Sequence, residues 1–407
     1  MTKKSDAPAI RFKGFSDAWE QRKLGDIADI VGGGTPSTGN QNYWDGDIDW
    51  YAPAEIADQI YANSSQKKIT GLGYENSSAK MLPPGTVLFT SRAGIGKTAI
   101  LTRKGCTNQG FQSIVPHRGE LDSYFIFSRT GELKRYGELV GAGSTFVEVS
   151  GKQMAVIELM MPPTMREQQT IGGFFQQLDH LITLHQRKFE KLTNVKKSML
   201  EKMFPQNGSS YPEIRFKGFT DPWEQRKVGD LLIERNQKAP MSDEYPLMAF
   251  IANEGVAPKG ERYDRSALVT DTVNKLYKKT EKGDFIYSSN NLETGSIGLN
   301  KYGKACISPV YSIFEPTGIA DSDFLGRRLV RKDFINAMVK WRQGVIYGQW
   351  RIHESDFLKI EITVPSVEEQ RKIGTYLDQL DHLITLHQRE LEKLQNIKKS
   401  MLEKMFV

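Results

Sequence analysis

The chain has 407 residues, a length that predicts two to four domains rather than one. Hydrophobic residues make up 39% and charged residues 26%, which is ordinary for a folded protein and excludes a wholly disordered chain. A formal net charge of +6 permits nucleic-acid binding but does not establish it.

The first half opens with a short segment that recurs later, followed by a long insert. Residues 10–26 recur as residues 214–230 with fourteen of 17 positions identical. The insert at 27–160 contains short apolar runs that predict strands and one amphipathic run that predicts a helix. The predicted strands are 87–90, 99–101, 113–115 and 156–161, and the predicted helix is 122–140.

A long helix follows the first insert. Pro162 and Pro163 mark the turn into it. Seam residues recur at alternating steps of four and three, which predicts a coiled coil rather than the broader stripe of a globular helix. A start near Arg166 gives about 39 residues and a length of about 58 Å. The first seam consists of Leu178, Ile182, His185, Phe189, Leu192, Lys196, Met199 and Met203.

The second half repeats this order. Residues 177–204 recur as 379–406 with 24 of 28 positions identical. The second insert, 231–363, shares little identity with the first, and we align Ile95–Gly96 with Ile297–Gly298. Its predicted strands are 285–288, 305–307, 310–314 and 358–364, and its predicted helix is 321–343. The second seam, which follows Pro365, consists of Leu380, Ile384, His387, Leu391, Leu394, Lys398, Met401 and Met405.

The short Pro/Gly/Ser linker after Phe204 determines the predicted topology, because the second domain must begin where the first helix ends. The second helix can bury its seam against the first only by running back. This predicts an antiparallel pair of helices with one globular domain at each end; pairing between two chains is the alternative.

The predicted fold class is therefore α+β. It combines two mixed α/β domains, two long antiparallel coiled-coil helices and an internal duplication about a pseudo-two-fold axis. The predicted boundaries are 1–163 for the first domain, 164–204 for the first helix, 205–212 for the linker, 213–365 for the second domain and 366–407 for the second helix.

Four stretches of sequence resemble the specificity subunit of type I restriction–modification systems. They are the FKGF-x-x-x-WEQRK-x-GD motif that begins each half, TPSTGNQNYWDGDIDW at 35–50, PPTMREQQTIGGFFQQLDHLI at 162–182 and PSVEEQRKIGTYLDQLDHLI at 365–384. The resemblance covers essentially the whole chain. It implies two target-recognition domains that each read one half of a split double-stranded DNA target. Because the two inserts differ, we expect the target to be asymmetric.

The resemblance also implies the partners and the cofactors. The helices would set the spacing between the two half-sites and dock two modification (methyltransferase) subunits, and restriction (endonuclease/translocase) subunits would join that core. This chain would hold no cofactor and would be non-catalytic. S-adenosylmethionine would belong to the modification subunit, and ATP and Mg to the restriction subunit.

The candidate DNA contacts lie in polar loops interleaved with aromatic residues. Arg suits guanine, Asn and Gln suit adenine, and Lys and hydroxyl groups more often hold phosphates. In the first domain the candidates are Thr35, Ser37, Asn40, Gln41, Tyr43, Lys67, Lys68, Lys80, Ser91, Arg92, Lys97 and Thr98. In the second domain they are Asn290, Asn291, Thr294, Ser296, Tyr347, Gln349 and Arg351.

Several shared residues have structural interpretations. We expect the aromatic residues common to both halves to pack each domain onto the helices, since identical residues cannot distinguish different half-sites. These residues are Trp19, Phe12 and Phe15 with Trp223, Phe216 and Phe219. His185 and His387 are predicted to fix the helix register rather than to bind metal. Lys196 and Lys398 either fix the register too or extend outward.

Motifs for independent chemistry fail or are weak. SRAGIGKT at 91–98 lacks the first glycine of a Walker A loop and predicts a strand–turn–strand. Asp122, Glu132 and Lys134 resemble a nuclease motif but predict a salt-bridged helix surface. Cys106 and Cys306 form no CxxC pair, which excludes a cysteine-based zinc site and predicts a cytoplasmic protein. No apolar run reaches about 18 residues, so no membrane span is expected.

Two other function classes stay open on the sequence. One is an adaptor whose coiled coil is joined to DNA-binding domains without sequence preference, which would show a steep salt dependence. The other is a nuclease or ATPase that uses the weak motifs. The target bases are not predictable, because no general code relates such loops to bases and DNA shape also contributes.

Overall fold

The computed structural model describes residues 7–56, 59–92, 94–141, 148–206, 208–258, 275–346 and 349–406. The chain divides into two compact units. Unit 1 comprises Met1–Arg187 and Gln388–Val407, and unit 2 comprises Lys188–His387. Each unit therefore contains one insert together with parts of both long helices.

Unit 1 has ten strands among its described residues: β1 Glu20–Lys23, β2 Ala28–Gly32, β3 Trp44–Tyr51, β4 Tyr61–Ala62, β5 Lys67–Ile69, β6 Val87–Phe89, β7 Thr98–Leu101, β8 Cys106–Thr107, β9 Gln112–Pro116 and β10 Glu158–Met161. Five of them form a sheet in the order β2-β9-β6-β7-β4, antiparallel except for the β4–β7 pair. A second sheet has the order β5-β3-β8, and β1 pairs with β10.

The core of unit 1 lies against the central strand β6. Val87 and Phe89 pack in one cluster with Phe125, and Leu88 packs in another with Tyr51, so this strand is apolar on both faces. Asp122 caps the helix that carries Phe125 by accepting hydrogen bonds from the first backbone N–H groups. The shorter helices of unit 1 are α1 Leu24–Ile27, α2 Gly71–Glu75, α3 Ser123–Ser128, α4 Thr130–Gly141 and α5 Gly151–Ala155, with 3₁₀ turns at Gln41–Tyr43 and Pro53–Glu55.

Unit 2 repeats the central sheet without its fifth strand. Its strands are β11 Glu224–Lys227, β12 Leu232–Glu234, β13 Lys238–Ala239, β14 Ala249–Ile251, β15 Gly255–Ala257, β16 Tyr277–Thr280, β17 Phe285–Tyr287, β18 Ile297–Leu299, β19 Ala305–Ile307, β20 Ser312–Pro316, β21 Gln343–Ile346, β22 Gln349–Arg351 and β23 Glu361–Val364. The main sheet has the order β12-β20-β17-β18, which matches β2-β9-β6-β7. The other pairings are β13-β16-β19, β11-β23, β14-β15 and β21-β22.

The helices of unit 2 follow the same order along the chain. The short ones are α7 Val228–Leu231, α8 Ser322–Arg328, α9 Lys332–Val339 and α10 Glu354–Phe357. The two long helices, α6 Met165–Lys202 and α11 Val367–Lys404, each have 38 residues and contribute to both units. The first long helix was predicted near Arg166 with about 39 residues, so its position and length are confirmed.

Each unit holds an antiparallel pairing of α6 and α11 segments. In unit 1, Phe406 stacks on Phe175 and Lys398 pairs with Asp179. Residue numbers fall along α11 as they rise along α6, so the two helices run antiparallel. In unit 2, Lys196 pairs with Asp381 in the same way. All residues of the predicted seam are buried or half-buried. Lys196 and Lys398 each form an ion pair with an aspartate of the opposite helix, Asp381 and Asp179 respectively.

The predicted strands are largely confirmed, but each predicted insert helix is divided. The single helix predicted at 122–140 is two helices that meet at Arg129. The Arg129 guanidinium is buried and donates to the carbonyl of Met160. The side chain of Arg129 therefore points into the core, and the helix is interrupted at this residue. In unit 2 the break between α8 and α9 follows the fully buried Leu329.

The alignment of Ile95–Gly96 with Ile297–Gly298 is wrong. Ile95 lies in the loop before β7, whereas Ile297 begins strand β18. The hairpin registers pair Phe89 with Thr98 and Tyr287 with Ile297, so Thr98 is the structural equivalent of Ile297. The two hairpin loops differ in length by one residue, and a constant offset therefore fails within the inserts.

Matching contacts join the shared segments to the long helices. Arg11 donates to both carboxylate oxygens of Glu167 at 2.7 and 2.8 Å, and Arg215 does the same to Glu369 at 2.7 Å. Both glutamate side chains are 1% exposed. The predicted packing of shared aromatic residues on the helices is confirmed for Phe12 on Phe174, Trp19 on Phe406, Phe216 on Tyr376 and Trp223 on Phe204.

Candidate nucleic-acid interface

Three loops of unit 1 lie against one another, at 33–43, 90–97 and 107–111. The backbone N–H of Gly34 donates to the carbonyl of Thr107 at 2.9 Å. The backbone N–H of Ser91 donates to the carbonyl of Gly110 at 2.8 Å. The third loop therefore connects the other two, and residues far apart in sequence share one surface.

The contact between the first and third loops requires a glycine. A Cβ atom on Gly33 would lie 2.0 Å from the carbonyl oxygen of Asn108, which no side chain can do. This close approach lets the hydroxyl of Thr35 donate to the side-chain oxygen of Gln109. Among the exposed and half-exposed polar residues of the three loops, we name five the first loop surface: Thr35, Ser37, Arg92, Lys97 and Gln109.

Trp44 joins the first loop surface to strand β5. Its indole N–H donates to the carbonyl of Ser37 at 3.2 Å, and the ammonium group of Lys67 lies 6.0 Å from its ring centroid. Trp44 in turn packs edge-on against the buried Trp50 at 5.1 Å. One aromatic ring thus brings together two of the predicted contacts, Ser37 and Lys67.

A buried carboxylate holds the other cations of this sheet. Asp49 is 2% exposed, and its oxygens lie 2.5 Å from Arg103 and 3.6 Å from Lys68. Burial alone would raise the pKa of Asp49, but hydrogen bonds from Ser65, Arg103 and Ser64 hold it below its usual value. Lys68 therefore lies beside a compensating negative charge, which weakens its attraction to a phosphate.

Two of the predicted contacts, Ser91 and Ser296, have buried side chains in the structure. Ser91 is fully buried, and its carbonyl accepts a hydrogen bond from the backbone of Val149. Ser296 is 8% exposed, and its carbonyl accepts a hydrogen bond from the backbone of Ser288. The backbone of Ser91 thus joins its loop to neighbouring segments, whereas that of Ser296 closes the base of its own hairpin loop.

The other predicted residues of unit 1 differ in availability. Gln41 and Lys80 are exposed. Asn40 caps the 3₁₀ turn at Gln41–Tyr43 by accepting a hydrogen bond from a backbone N–H, and Tyr43 is half-buried. The hydroxyl of Thr98 lies 3.5 Å from that of Thr130 on helix α4. Asn40 and Thr98 therefore have clear structural roles.

One loop of unit 2 corresponds to a loop of the first loop surface, but its neighbours differ. The loop 288–296 joins β17 and β18, as 90–97 joins β6 and β7. Its Ser289 hydroxyl accepts a hydrogen bond from the backbone of Ile352 at 3.0 Å, next to the β21–β22 hairpin. Its Gly295 carbonyl accepts one from Asn253 at 3.0 Å. The turn at 252–254, the loop and the hairpin therefore adjoin.

The central feature of this surface is an arginine between two partners. Arg342 donates to the two carboxylate oxygens of Glu293 at 2.8 and 2.6 Å. Its guanidinium carbon lies 5.9 Å from the ring centroid of Trp350, which is 44% exposed. We name the polar and aromatic residues here the second loop surface: Asn291, Glu293, Thr294, Arg342, Trp350 and Arg351.

The structure brings together most of the predicted residues of unit 2. Asn291, Thr294 and Arg351 are exposed, and Asn290 is half-buried. The side-chain oxygen of Asn290 has no hydrogen-bond partner among the described residues. Tyr347 lies outside the described residues. Gln349 begins strand β22.

Sequence reasoning missed four residues that these surfaces include: Gln109, Glu293, Arg342 and Trp350. Gln109 and Glu293 lie in loops between strands, whereas Arg342 falls inside the helix predicted at 321–343. Gln109 lies in the polar run TNQG between two strands, which was a usable signal. The approach of Glu293 to Arg342 spans 49 positions and carries no local signal.

The motifs for independent chemistry have structural explanations. The 91–98 segment connects two antiparallel strands, as predicted. Asp122 caps helix α3, Glu132 pairs with Arg129 and Lys134 pairs with Glu138. Within the described ranges, no group of three or more acidic, His or Cys side chains could hold a metal ion. Every helix in the described part of the chain is too short or too polar to cross a bilayer.

Both long helices carry exposed leucines at equivalent positions. Leu181 and Leu184 of α6 are 40% and 38% exposed, and Leu383 and Leu386 of α11 are 40% and 45% exposed. In unit 1, Leu181 lines a groove of about 960 Å³ together with Tyr61. These four leucines are the large apolar residues that lie exposed along the two long helices.

Comparisons with known proteins agree over the whole chain. A family model described as "Type I restriction modification DNA specificity domain" matches residues 16–194 and 220–396. The type I restriction enzyme MjaIX specificity subunit of Methanocaldococcus jannaschii is 26% identical over 408 residues, which cover 95% of this chain and 92% of that relative. The EcoR124I/EcoR124II specificity subunit of Escherichia coli is 26% identical over 170 residues, 40% of this chain and 41% of that relative.

A solved structure also has this fold. The crystal structure of a type I restriction–modification system S subunit from M. genitalium aligns with a TM-score of 0.59 at 14% identity. The alignment covers 98% of this chain and 99% of that one, so the likeness in fold includes both halves.

Proposed function

This chain belongs to the family of type I restriction–modification DNA specificity subunits, and we propose that each of its loop surfaces reads one half of a split, asymmetric DNA target. The observation that carries the proposal is that the two loop surfaces lie at equivalent hairpins of their sheets but present different side chains. Both loop surfaces adjoin the same hairpin of the same sheet, yet the first presents Gln109 and Arg92 and the second Asn291 and Arg342. Different side chains on matching scaffolds favour two different half-sites.

The chemistry of the two surfaces supports base reading in a major groove. Gln109 and Asn291 carry amide groups that suit adenine, and Arg92 and Arg351 carry guanidinium groups that suit guanine. Lys67, Lys80 and Lys97 suit phosphates, which position the duplex without specifying its sequence.

The long helices have two roles in this proposal. They set the spacing between the two half-sites; α6 and α11 are each a single helix of 38 residues. They also dock two modification subunits through the equivalent pairs Leu181 and Leu184, and Leu383 and Leu386. Restriction subunits then join that assembly.

The chain itself is non-catalytic in this proposal. The modification subunit supplies S-adenosylmethionine and the methyl transfer, and the restriction subunit supplies ATP hydrolysis and cleavage. The free, buried Cys106 and Cys306 are compatible with the reducing cytoplasm, where cellular DNA would be the substrate.

The test is methylated-base mapping in a host without other DNA methylation. The chain is co-expressed with its modification subunit and compared with a version whose second insert, 231–363, is exchanged for that of a relative. We expect a split motif whose first half is unchanged and whose second half is replaced. Methylation without a motif would contradict the proposal and favour the adaptor that binds DNA without sequence preference.

A further inference from the structure

The Glu293–Arg342 pair has an unusual position for a surface ion pair. Glu293 is 53% exposed, whereas its partner Arg342 is 12% exposed. The carboxylate therefore lies on the outer, solvent side of the guanidinium, in the middle of the second loop surface. A negative charge at this place repels the phosphates of any approaching duplex, so its presence lowers DNA affinity.

The arginine is held in place by more than its ion pair. The ring of Trp350 lies beside the guanidinium group, and the Nε atom of Arg342 is buried without a hydrogen-bond partner among the described residues. Loss of Glu293 would thus leave a positioned, partly unsatisfied donor group. The half-exposed carboxylate can return to water, whereas the guanidinium group, only 12% exposed, then needs another hydrogen-bond acceptor.

The loop that carries Glu293 is rigid at its base. The neighbouring Leu292 is fully buried, and the backbone of Gly295 donates to its carbonyl at 3.2 Å. The backbone of Ser288 bonds to Ser296 at 2.8 Å across the loop. The exposed side chain of Glu293 can therefore rotate away while the loop keeps its shape.

We propose that Glu293 is a specificity gate: its carboxylate stays bound to Arg342 until a guanine of the correct half-site takes its place. A guanidinium group makes two parallel hydrogen bonds to a carboxylate and can make two to the O6 and N7 atoms of guanine. Only a base that offers both acceptors compensates for the displaced carboxylate. This inference rests on the proposed function and names a determinant of the second half-site.

The chain offers a matched control. Arg328 is also 12% exposed, and its partner Asp333 is 55% exposed, with a separation of 3.0 Å; Asp333 lies 3.5 Å from Arg331 as well. This pair lies between helices α8 and α9 and outside the loops of the second loop surface. Asp333→Asn therefore removes a similar charge from unit 2 without opening the proposed gate.

The test compares three variants, Glu293→Gln, Arg342→Lys and Asp333→Asn, each assembled with the modification subunit. We expect Glu293→Gln to raise methylation of sites with one mismatch in the second half by about fivefold to tenfold, because the freed arginine accepts other partners. We expect Arg342→Lys to relax one position of that half, since lysine keeps the charge but loses the fork. Asp333→Asn should leave the motif unchanged.

Each other outcome overturns a defined claim. An unchanged second half in Glu293→Gln, with a normal split motif in the wild-type chain, overturns the gate and leaves the proposed function intact. A uniform loss of methylation in Arg342→Lys, with no base preference relaxed, assigns Arg342 to a phosphate and also overturns it. Absence of any split motif in the wild-type chain overturns the proposed function and the gate together.

Discussion

Units 1 and 2 differ most where they are exposed and least where they join the long helices. Arg11–Glu167 and Arg215–Glu369 are the same pair at the same distance. The equivalent hairpin loops, in contrast, share neither length nor side chains. The difference indicates that the helix junctions tolerate little change, because they set the orientation of each domain, whereas the loop surfaces are free to diverge.

The helix ends offer the largest test of this comparison. Phe204 is 1% exposed and stacks on Phe324 at 5.5 Å, whereas its equivalent Phe406 is only half-buried. We expect Phe204→Ala to lower the free energy of unfolding by about 4 kcal/mol and Phe406→Ala by about 2 kcal/mol, in proportion to the buried area lost. Chemical unfolding of the full chain measures both.

Leu139→Ala is the control for these two variants. Leu139 is 80% exposed, so its truncation should change the free energy of unfolding by less than about 0.5 kcal/mol. Equal effects for Phe204 and Phe406 would mean that the two junctions are packed alike.

The buried ion pairs give the next largest effect. Glu167→Ala leaves Arg11 without its partner and should cost about 3 kcal/mol. Trp19 also donates to Glu167 at 3.3 Å, whereas the indole N–H of Trp223 has no partner among the described residues. Glu369→Ala should therefore cost about 1 kcal/mol less than Glu167→Ala.

Urea midpoints measure this difference. The matched control is Glu213→Ala, which removes a 66%-exposed partner of Lys202 and should have almost no effect. A larger loss for Glu369→Ala than for Glu167→Ala would contradict the account of the Trp19 hydrogen bond.

Two adjacent glycines sharpen the comparison further. A Cβ atom on Gly172 would lie 2.7 Å from a carboxylate oxygen of Asp122 and 2.9 Å from the backbone nitrogen of Phe125, whereas one on Gly173 meets nothing within 4 Å. Gly172→Ala should destabilise by about 2 kcal/mol through overpacking. Gly173→Ala should stabilise by up to about 1 kcal/mol through helix propensity. Thermal unfolding that moves both variants in one direction would contradict this placement of α6 on α3.

The smallest expected effect is a pH dependence in unit 2. Burial raises the pKa of Asp381, but the hydrogen bond from Lys196 and the charge of Arg327 more than offset this and hold it below its usual value. A lowered folded pKa means that the stabilisation is complete above about pH 4 and is lost as the pH falls through the folded value. We expect Asp381→Asn to cost about 1 kcal/mol at pH 7.

The measurement is the difference in unfolding free energy between the wild-type chain and Asp381→Asn from pH 7 to pH 3. The difference should stay constant down to about pH 4 and then shrink. If this difference in unfolding free energy instead grew as the pH fell, the pKa of Asp381 would be raised by folding, which would contradict the proposed role of the Lys196–Asp381 pair.

The repeated parts of the fold could be predicted from the sequence because their signals are local and occur twice. The alternation of four and three steps located both seams, and buried strands such as Val87–Phe89 are continuous apolar runs. The break at Arg129 could not be predicted, since a buried arginine that binds a distant carbonyl has no periodic signature.

The candidate site was predictable only in part, for a related reason. The polar loops indicated where the surfaces lie, but the burial of Ser91 has no local signal, because its backbone bonds to the distant Gly110 and Val149. The Glu293–Arg342 pair joins residues from two different loops, and only the folded chain brings them together.

The most direct test of the central claim changes one residue on each loop surface. Gln109→Ala and Asn291→Ala are each made in the full chain with its modification subunit, and methylated bases are mapped across the genome. We expect each variant to relax or abolish recognition in one half of the split motif and to leave the other half intact. Loss spread over both halves in either variant would contradict the assignment of one half-site to each surface.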